Sequence, residues 1–258
     1  MTTLTCSLAI LAGAITGFGC AGRGGAVFEP DTALPHLPAG FTTLIDEPWN
    51  EVAPPGWSLA SYGQFQVSRV DDPTAPRSPS SVLQFRYLGD IGGEGAGARK
   101  YMHAAYTSYY IAFWYKHSSN WVYHDSCYNK LLYFANNSSS GDNEGIVHDD
   151  CGTLSVTLQN DISDRLGSNF GGNYTLTLGQ WHFIEILMTG STNGQANGRL
   201  EWWVDGIQRG RYLSQKFKSS GDAVFNGIDL DPIWGGGPQT ASPAQYYWLD
   251  HLVVKGKD

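Results

Sequence analysis

The residues best suited to chemistry are concentrated in one segment, 115–130, which mixes aromatic, basic and amide side chains. Cleavage of a uronic-acid glycoside by β-elimination needs a cation at the carboxylate, a base for the adjacent proton and an acid for the leaving oxygen. The segment offers all three kinds of group, and the preceding segment adds an arginine. We therefore expect catalysis to depend on His117, His124, Lys130, Arg99 and Tyr123.

The same region also offers groups that could hold a sugar chain. Sugar rings present apolar faces that stack on aromatic side chains, while their hydroxyls bond to amides and charged groups. The expected substrate-binding residues are Tyr115, Lys116, Asn120, Trp121 and Trp234. A structural interpretation stays open, in which the aromatic rings stack on one another, the histidines bond to the backbone and Trp234 closes the end of the fold.

Composition favours an all-β protein of one domain. The chain has 258 residues, of which only 16% are charged and 13% are aromatic, and it contains 32 glycines and 12 prolines. Such a chain is rich in strand and turn formers and poor in helix formers. Sandwiches of more than 200 residues commonly form one unit.

Short alternating or aromatic runs bounded by turn residues predict a series of strands. The pair Asp205-Gly206, between two such runs, predicts a tight hairpin because glycine accepts the positive φ that the turn requires. No helical period of 3.6 is sustained, so a sandwich or barrel is expected. The predicted strands are 41–45, 64–70, 81–87, 109–116, 130–134, 153–159, 174–178, 181–188, 199–204, 208–213 and 246–254.

The net charge and the N-terminal sequence bear on the partners and the location of the protein. A formal net charge of −8 without a Lys/Arg cluster argues against nucleic acid as a partner. The apolar run 8–18 is too short to span a bilayer and resembles an export signal. We expect a leader over 1–25, a linker over 26–40, a folded domain over 41–258 and a secreted protein without a transmembrane segment. Lipid anchoring through Cys20 is a minority alternative.

Four cysteines are present, and two of them lie in the leader. The remaining pair, Cys127 and Cys151, would most simply form a disulfide in an oxidising compartment. Two cysteines alone make a structural zinc site improbable, because such sites use four ligands.

Three stretches resemble concanavalin A-like jelly rolls, including laminin-G-like domains and heparin-lyase-like polysaccharide lyases. They are Gly179-Gln180-Trp181-His182, then Gly198-Arg199-Leu200-Glu201-Trp202-Trp203-Val204-Asp205-Gly206, and the run from Tyr246 to Val254. The resemblance implies a two-sheet antiparallel jelly-roll sandwich that handles a polysaccharide or other glycan. It also implies a structural calcium joining the first and last strands, for which the chain offers Asp46 and Asp250.

The resemblance specifies the fold better than the activity. The Glu-x-Asp-x-x-Glu strand of laminarinase-type glucanases is missing, and so are the catalytic strands of the commonest alginate lyases. Three functions therefore stay open: a lyase acting on a uronate-containing polymer, a non-catalytic glycan-binding module, and a surface structural protein.

Overall fold

The computed structural model describes residues 34–51, 54–60, 66–77, 80–91, 97–135, 144–159, 162–171, 173–230 and 232–258. These residues form strands and connecting loops, and none of them is helical. The strands are β1 Thr42–Glu47, β2 Ser58–Ala60, β3 Gln66–Asp71, β4 Ser81–Ile91, β5 Gly97–Tyr106, β6 Ser108–His117, β7 Asn129–Ala135, β8 Glu144–Asp149, β9 Leu154–Leu158, β10 Asp164–Leu166, β11 His182–Thr189, β12 Gly198–Val204, β13 Ile207–Gln215, β14 Phe225–Leu230 and β15 Gln239–Lys257.

The strands pair into two antiparallel sheets that form a jelly-roll sandwich, as the resemblance implied. The eight-stranded sheet has the order β13-β12-β11-β6-β15-β4-β3, and β1 pairs with the C-terminal part of β15. The seven-stranded sheet has the order β10-β9-β8-β7-β14-β5-β2.

The main core lies between the two sheets, because alternate residues of each strand point inward. On β6, Tyr109, Ile111 and Phe113 join this core. Tyr110 and Trp114 point the other way, into a second apolar cluster on the outer face of the eight-stranded sheet. Leu34, Leu37 and Phe41 pack against that cluster, so the end of the predicted linker is part of the folded structure.

Most of the predicted strands are confirmed, and so is the hairpin. Asp205 and Gly206 connect β12 to β13 with φ angles of 52° and 74°. The prediction of a strand over 174–178 is wrong, since this stretch is irregular and Leu176 bonds to Gly152 rather than to a neighbouring strand. Five strands of the described chain were not predicted: β2, β5, β8, β10 and β14.

The leader predicted over 1–25 lies outside the described residues. Within the part of the chain that is described, no helix is long and apolar enough to cross a membrane.

Candidate functional site

The alternation of β6 separates the polar residues that the sequence places together. His117 ends the inward-facing row of β6, whereas Lys116 points to the outer face of the eight-stranded sheet. There the Lys116 ammonium binds the Asp72 carboxylate and lies 4.5 Å from the ring centre of Trp181 and 4.8 Å from that of Trp248. The Lys116 ammonium therefore lies on the opposite side of the sheet from the side chains of Tyr115 and His117.

His117 lies in a buried polar cluster between the sheets. Its ring stacks on Trp121 at 3.8 Å, and its Nδ1 lies 2.8 Å from the Tyr115 hydroxyl. The Tyr115 hydroxyl donates to Asp149 at 3.0 Å. Burial, and secondarily the charge of His182, hold the pKa of His117 well below its ordinary value. Burial raises the pKa of Asp149 to about 6. These groups lie between the two sheets and have one another as hydrogen-bond and stacking partners, so the cluster stabilises the end of the sandwich.

The rest of the 118–124 loop is anchored to β15 and to the segment before it. His124 bonds through Nε2 to the Gly237 carbonyl at 3.0 Å and through Nδ1 to the Ser126 hydroxyl at 2.8 Å. Its ring meets the buried Trp234 edge-on. Asn120 donates to the Ala244 carbonyl. Burial raises the pKa of the half-buried Tyr123, and the negative charge of Asp149 raises it further. These contacts match the structural interpretation of this segment.

The outer face of the seven-stranded sheet brings together a different set of residues. Val147 and Val156 point into the core, so their neighbours His148, Ser155 and Thr157 point away from it. Lys130 stands directly opposite His148 in the β7–β8 pair. In the next row across the sheet, Tyr133 stands opposite Ile146 on one side and Asp229 on the other, and Arg99 stands opposite Asp229. Two predicted residues, Lys130 and Arg99, therefore occupy register positions on this sheet.

His148 is the centre of a hydrogen-bonded group on this face, and no part of it is exposed. Its Nδ1 lies 2.7 Å from Asp150 Oδ1, and its Nε2 lies 2.9 Å from the Thr157 hydroxyl. The ring of Tyr128 packs on the imidazole at 4.3 Å. Asp150 also binds the guanidinium of Arg165 at 2.5 Å.

Two cations flank this group. The Arg165 guanidinium lies 5.5 Å from the ring centre of Tyr128, and its side chain is 53% exposed. The Lys130 ammonium lies 5.7 Å from the ring centre of Tyr133. We call Tyr128, Lys130, His148, Thr157 and Arg165, with Asp150 behind them, the outer-face site. A negatively charged ligand would meet positive charge on both sides of His148.

The local environment sets the protonation of the central groups. Burial lowers the pKa of His148, and the charges of Arg165 and Lys130 lower it further, against the opposing effect of Asp150. The imidazole is therefore neutral at neutral pH. Burial raises the pKa of Tyr128 despite a hydrogen bond with Thr157, so the phenol keeps its proton. The outer-face site thus contains a neutral imidazole, a protonated phenol and two cations.

Sequence reasoning missed most of this site, although a signal for it was present. The run Gly145-Ile146-Val147-His148-Asp149 alternates faces like any half-buried strand, which places His148 on the same face as Lys130 once the two strands pair. The structure places Asp149 inside the sandwich and Asp150 beside His148.

Asp46 and Asp250, the two residues expected to hold calcium, have different surroundings. The Asp46 carboxylate accepts from His251 Nε2 at 2.8 Å and is 62% exposed. Asp250 is buried, accepts from the Arg77 amide at 3.1 Å and has no partner for Oδ1. A buried oxygen without a partner fits a cation ligand. Asp46 fits less well, and the described residues hold no group of three acidic, histidine or cysteine side chains suited to a metal.

The disulfide between Cys127 and Cys151 is confirmed, with a Cα–Cα distance of 4.8 Å. It lies at the end of the β7–β8 pair, beside the outer-face site.

Comparison with known proteins gives the fold and no family. No family model matches the chain, and no curated protein matches it. The endo-β-1,4-glucuronan lyase from the fungus Trichoderma reesei matches with a TM-score of 0.60 and 16% identity, over 84% of this chain and 96% of that one. The alginate lyase vAL-1 from Chlorella virus matches with a TM-score of 0.55 and 14% identity, over 78% and 93%. The cellulose induced protein Cip1 matches with a TM-score of 0.54 and 14% identity, over 81% and 96%. At these identities the likeness shows a shared jelly-roll fold.

Proposed function

We propose that this protein is a polysaccharide lyase that cleaves a uronate-containing glycan by β-elimination at the outer-face site. The observation that carries the proposal is the convergence of His148, Tyr128, Lys130 and Arg165 on one sheet face. These residues supply a base, an acid and two carboxylate-binding cations. The same fold occurs in a glucuronan lyase and in alginate lyases, which supports the proposal at the level of the fold.

The cations act first. Arg165 and Lys130 bind the uronate carboxylate, which reduces the cost of the negative charge that develops when the neighbouring carbon loses its proton. Arg165 is well suited to this role because a guanidinium matches a carboxylate with two parallel hydrogen bonds. Its contact with Asp150 fixes its position before the substrate arrives.

His148 then takes the proton. Asp150 accepts the Nδ1 hydrogen, which leaves the lone pair of the neutral ring on Nε2, next to the Thr157 hydroxyl. In the substrate complex this hydroxyl turns away, and Nε2 removes the proton beside the carboxylate. The electron pair of that C–H bond forms the new C=C bond, and the C–O bond to the leaving sugar breaks.

Tyr128 completes the reaction by donating its phenolic proton to the leaving oxygen. Because Thr157 bonds to both Tyr128 and His148, its hydroxyl can carry the abstracted proton back to the phenolate and restore the site. Proton and charge therefore balance over one turnover.

The experiment is a screen of glucuronan, alginate and a neutral glucan for products that absorb in the ultraviolet. We expect a rise in absorbance with at least one uronate polymer and none with the neutral glucan. His148→Ala and Tyr128→Phe should each lower kcat by roughly 10²- to 10⁴-fold. The matched controls, His251→Gln and Tyr246→Phe on the other sheet, should keep the wild-type rate. Wild-type turnover in His148→Ala would refute the assignment.

A non-catalytic glycan-binding function is the second candidate. It is favoured by the fact that both ring nitrogens of His148 already have hydrogen-bond partners within the protein. Retention of the protein on an immobilised uronate polymer without any change in absorbance would select this function over the lyase.

We also infer that the protein is exported. The disulfide supports this inference, together with the apolar N-terminal run. Fractionation of the native host should place the mature protein outside the cytoplasm, and recovery only from the cytoplasm would contradict it.

A further inference from the structure

Two residues of the outer-face site are the immediate chain neighbours of the disulfide. Tyr128 follows Cys127, and Asp150 precedes Cys151. Tyr128 covers the imidazole of His148, and Asp150 binds both that imidazole and Arg165. The covalent bond therefore joins the two short segments that supply these contacts.

The position of the bond in the sheet explains why it is needed there. The pairing of β7 with β8 ends at Asn129 and Asp149. Tyr128 and Asp150 are the next residues outward, one on each segment. Beyond that pair, the backbone of each segment bonds within its own turn: Cys127 donates to the His124 carbonyl, and Asp150 donates to the Thr153 carbonyl. The S–S bond continues the connection between the strands where their pairing stops.

The backbone at both cysteines is held in an unfavourable conformation. Cys127 and Cys151 each have φ of 50°, in the left-handed region that residues other than glycine seldom adopt. Such conformations persist only where the surroundings impose them. Without the S–S bond only the hydrogen bonds within each turn oppose a return to an ordinary φ, and such a return would move the adjacent Tyr128 and Asp150.

We propose that the Cys127–Cys151 disulfide is a positioning element of the outer-face site, which holds Tyr128 over His148 and Asp150 against His148 and Arg165. Its effect on turnover rests on the proposed lyase function. Reduction by a dithiol passes two electrons and two protons to the cystine, giving two cysteine thiols and the cyclic disulfide of the reductant. Both cysteines are partly exposed, so a small reductant can reach the bond in the folded protein.

The test compares oxidised protein, dithiol-reduced protein and the Cys127→Ser/Cys151→Ser double variant, all at a temperature where far-ultraviolet circular dichroism shows the sandwich folded. We expect kcat on the uronate polymer to fall by roughly tenfold to a hundredfold, since small displacements of catalytic groups have effects of this order. Reoxidation should restore the rate. Leu200→Ala, a core change in β12 of the other sheet, is the control for lowered stability and should keep the wild-type kcat.

A second measurement does not depend on turnover. The contact with Asp150 raises the pKa of His148 against the effect of burial. Loss of that contact should therefore lower the midpoint at which the His148 ring titrates in nuclear magnetic resonance spectra. An absence of turnover by the oxidised protein on every polymer counts against the lyase, whereas the His148 titration still decides the role of the disulfide.

Two results would overturn the proposal. One is reduced, folded protein with wild-type kcat and an unchanged His148 titration. The other is reduced protein that unfolds under conditions in which Leu200→Ala stays folded, because the bond would then act as a general stabiliser and not as a positioning element.

Discussion

The imidazole of His36 lies parallel to the indole of Trp203, with ring centres 4.3 Å apart and planes within 7°. The same imidazole places Nδ1 2.9 Å from Glu185, which is fully buried and also accepts from the Tyr110 hydroxyl. A buried carboxylate needs such partners because it has lost those it had in water. His36 therefore attaches the N-terminal segment to the outer face of the eight-stranded sheet.

We expect His36→Ala to destabilise the protein without impairing catalysis. The change removes the stacking and one partner of buried Glu185, which should lower the free energy of unfolding by about 1–3 kcal/mol. Denaturant unfolding measures this effect. Pro35→Ala, at an exposed neighbouring position, is the control and should unfold like wild type. Equal stability of wild type and His36→Ala would contradict the structural role assigned to His36.

The rate of β-elimination should depend on pH in a way set by His148 and Tyr128. The base must be neutral, and the pKa of His148 lies below its ordinary value of 6.5, so the acid limb of kcat/KM should lie below pH 6.5. The acid must be protonated, and the pKa of Tyr128 is raised from 10.0, so the alkaline limb should lie above pH 10. Rates measured from pH 4 to 11 test this.

The control for that profile is the recovery of activity after return to pH 8, which separates titration from unfolding. An acid limb with its midpoint above pH 6.5, present in Tyr128→Phe as well as in wild type, would show that a base other than His148 is used.

The fold could be predicted largely from local patterns. Alternation gave β6, β9, β11 and β12, and Asp205-Gly206 gave the hairpin after β12, because these signals lie within a few neighbouring residues. The segment 174–178 has the same alternating character, yet it is held by bonds to the 152–154 turn instead of a strand. That distinction depends on partners far away in the chain.

The site was predicted less well because it is a property of the sheet pairing. His117 and Lys116 are adjacent in sequence but point to opposite faces of β6. Lys130 and His148 are 18 positions apart and become neighbours only through the pairing of β7 with β8. Sequence clustering selected the first pair, whereas strand pairing brings together the second.

His117 should behave as a structural residue. Its ring stacks on Trp121 and bonds to Tyr115 in a buried cluster, so His117→Ala leaves a cavity and removes one of the two hydrogen-bond partners of the Tyr115 hydroxyl. We expect the free energy of unfolding to fall by roughly 2–4 kcal/mol and kcat at 20 °C to stay near that of wild type. Unfolding curves and initial rates on one preparation measure both effects. A hundredfold loss of kcat with unchanged stability would instead restore His117 as a catalytic residue.

Asp250 should make the protein less stable as the pH rises. Burial, against hydrogen bonding and charge from Arg77, raises the pKa of Asp250 from 3.8 to about 7. The folded state therefore binds a proton more tightly than the unfolded state. The contribution is fully present below about pH 4 and is lost as the pH rises from there through 7, by an amount on the order of a few kcal/mol. Asp250→Asn keeps an oxygen for the Arg77 amide and carries no charge.

In EDTA we accordingly expect Asp250→Asn to raise the Tm at pH 8 and to leave it unchanged at pH 4, as followed by thermal unfolding. Asp46→Asn, at the exposed carboxylate beside His251, is the control. The change in Tm that it causes should differ less between pH 4 and pH 8 than the change caused by Asp250→Asn. Calcium provides the second arm: if the Asp250 oxygen without a partner binds the ion, added calcium raises the Tm of wild type at pH 8 but not that of Asp250→Asn. A higher Tm for wild type than for Asp250→Asn at pH 8 in EDTA would show that the Asp250 carboxylate is stabilised by a partner other than a cation.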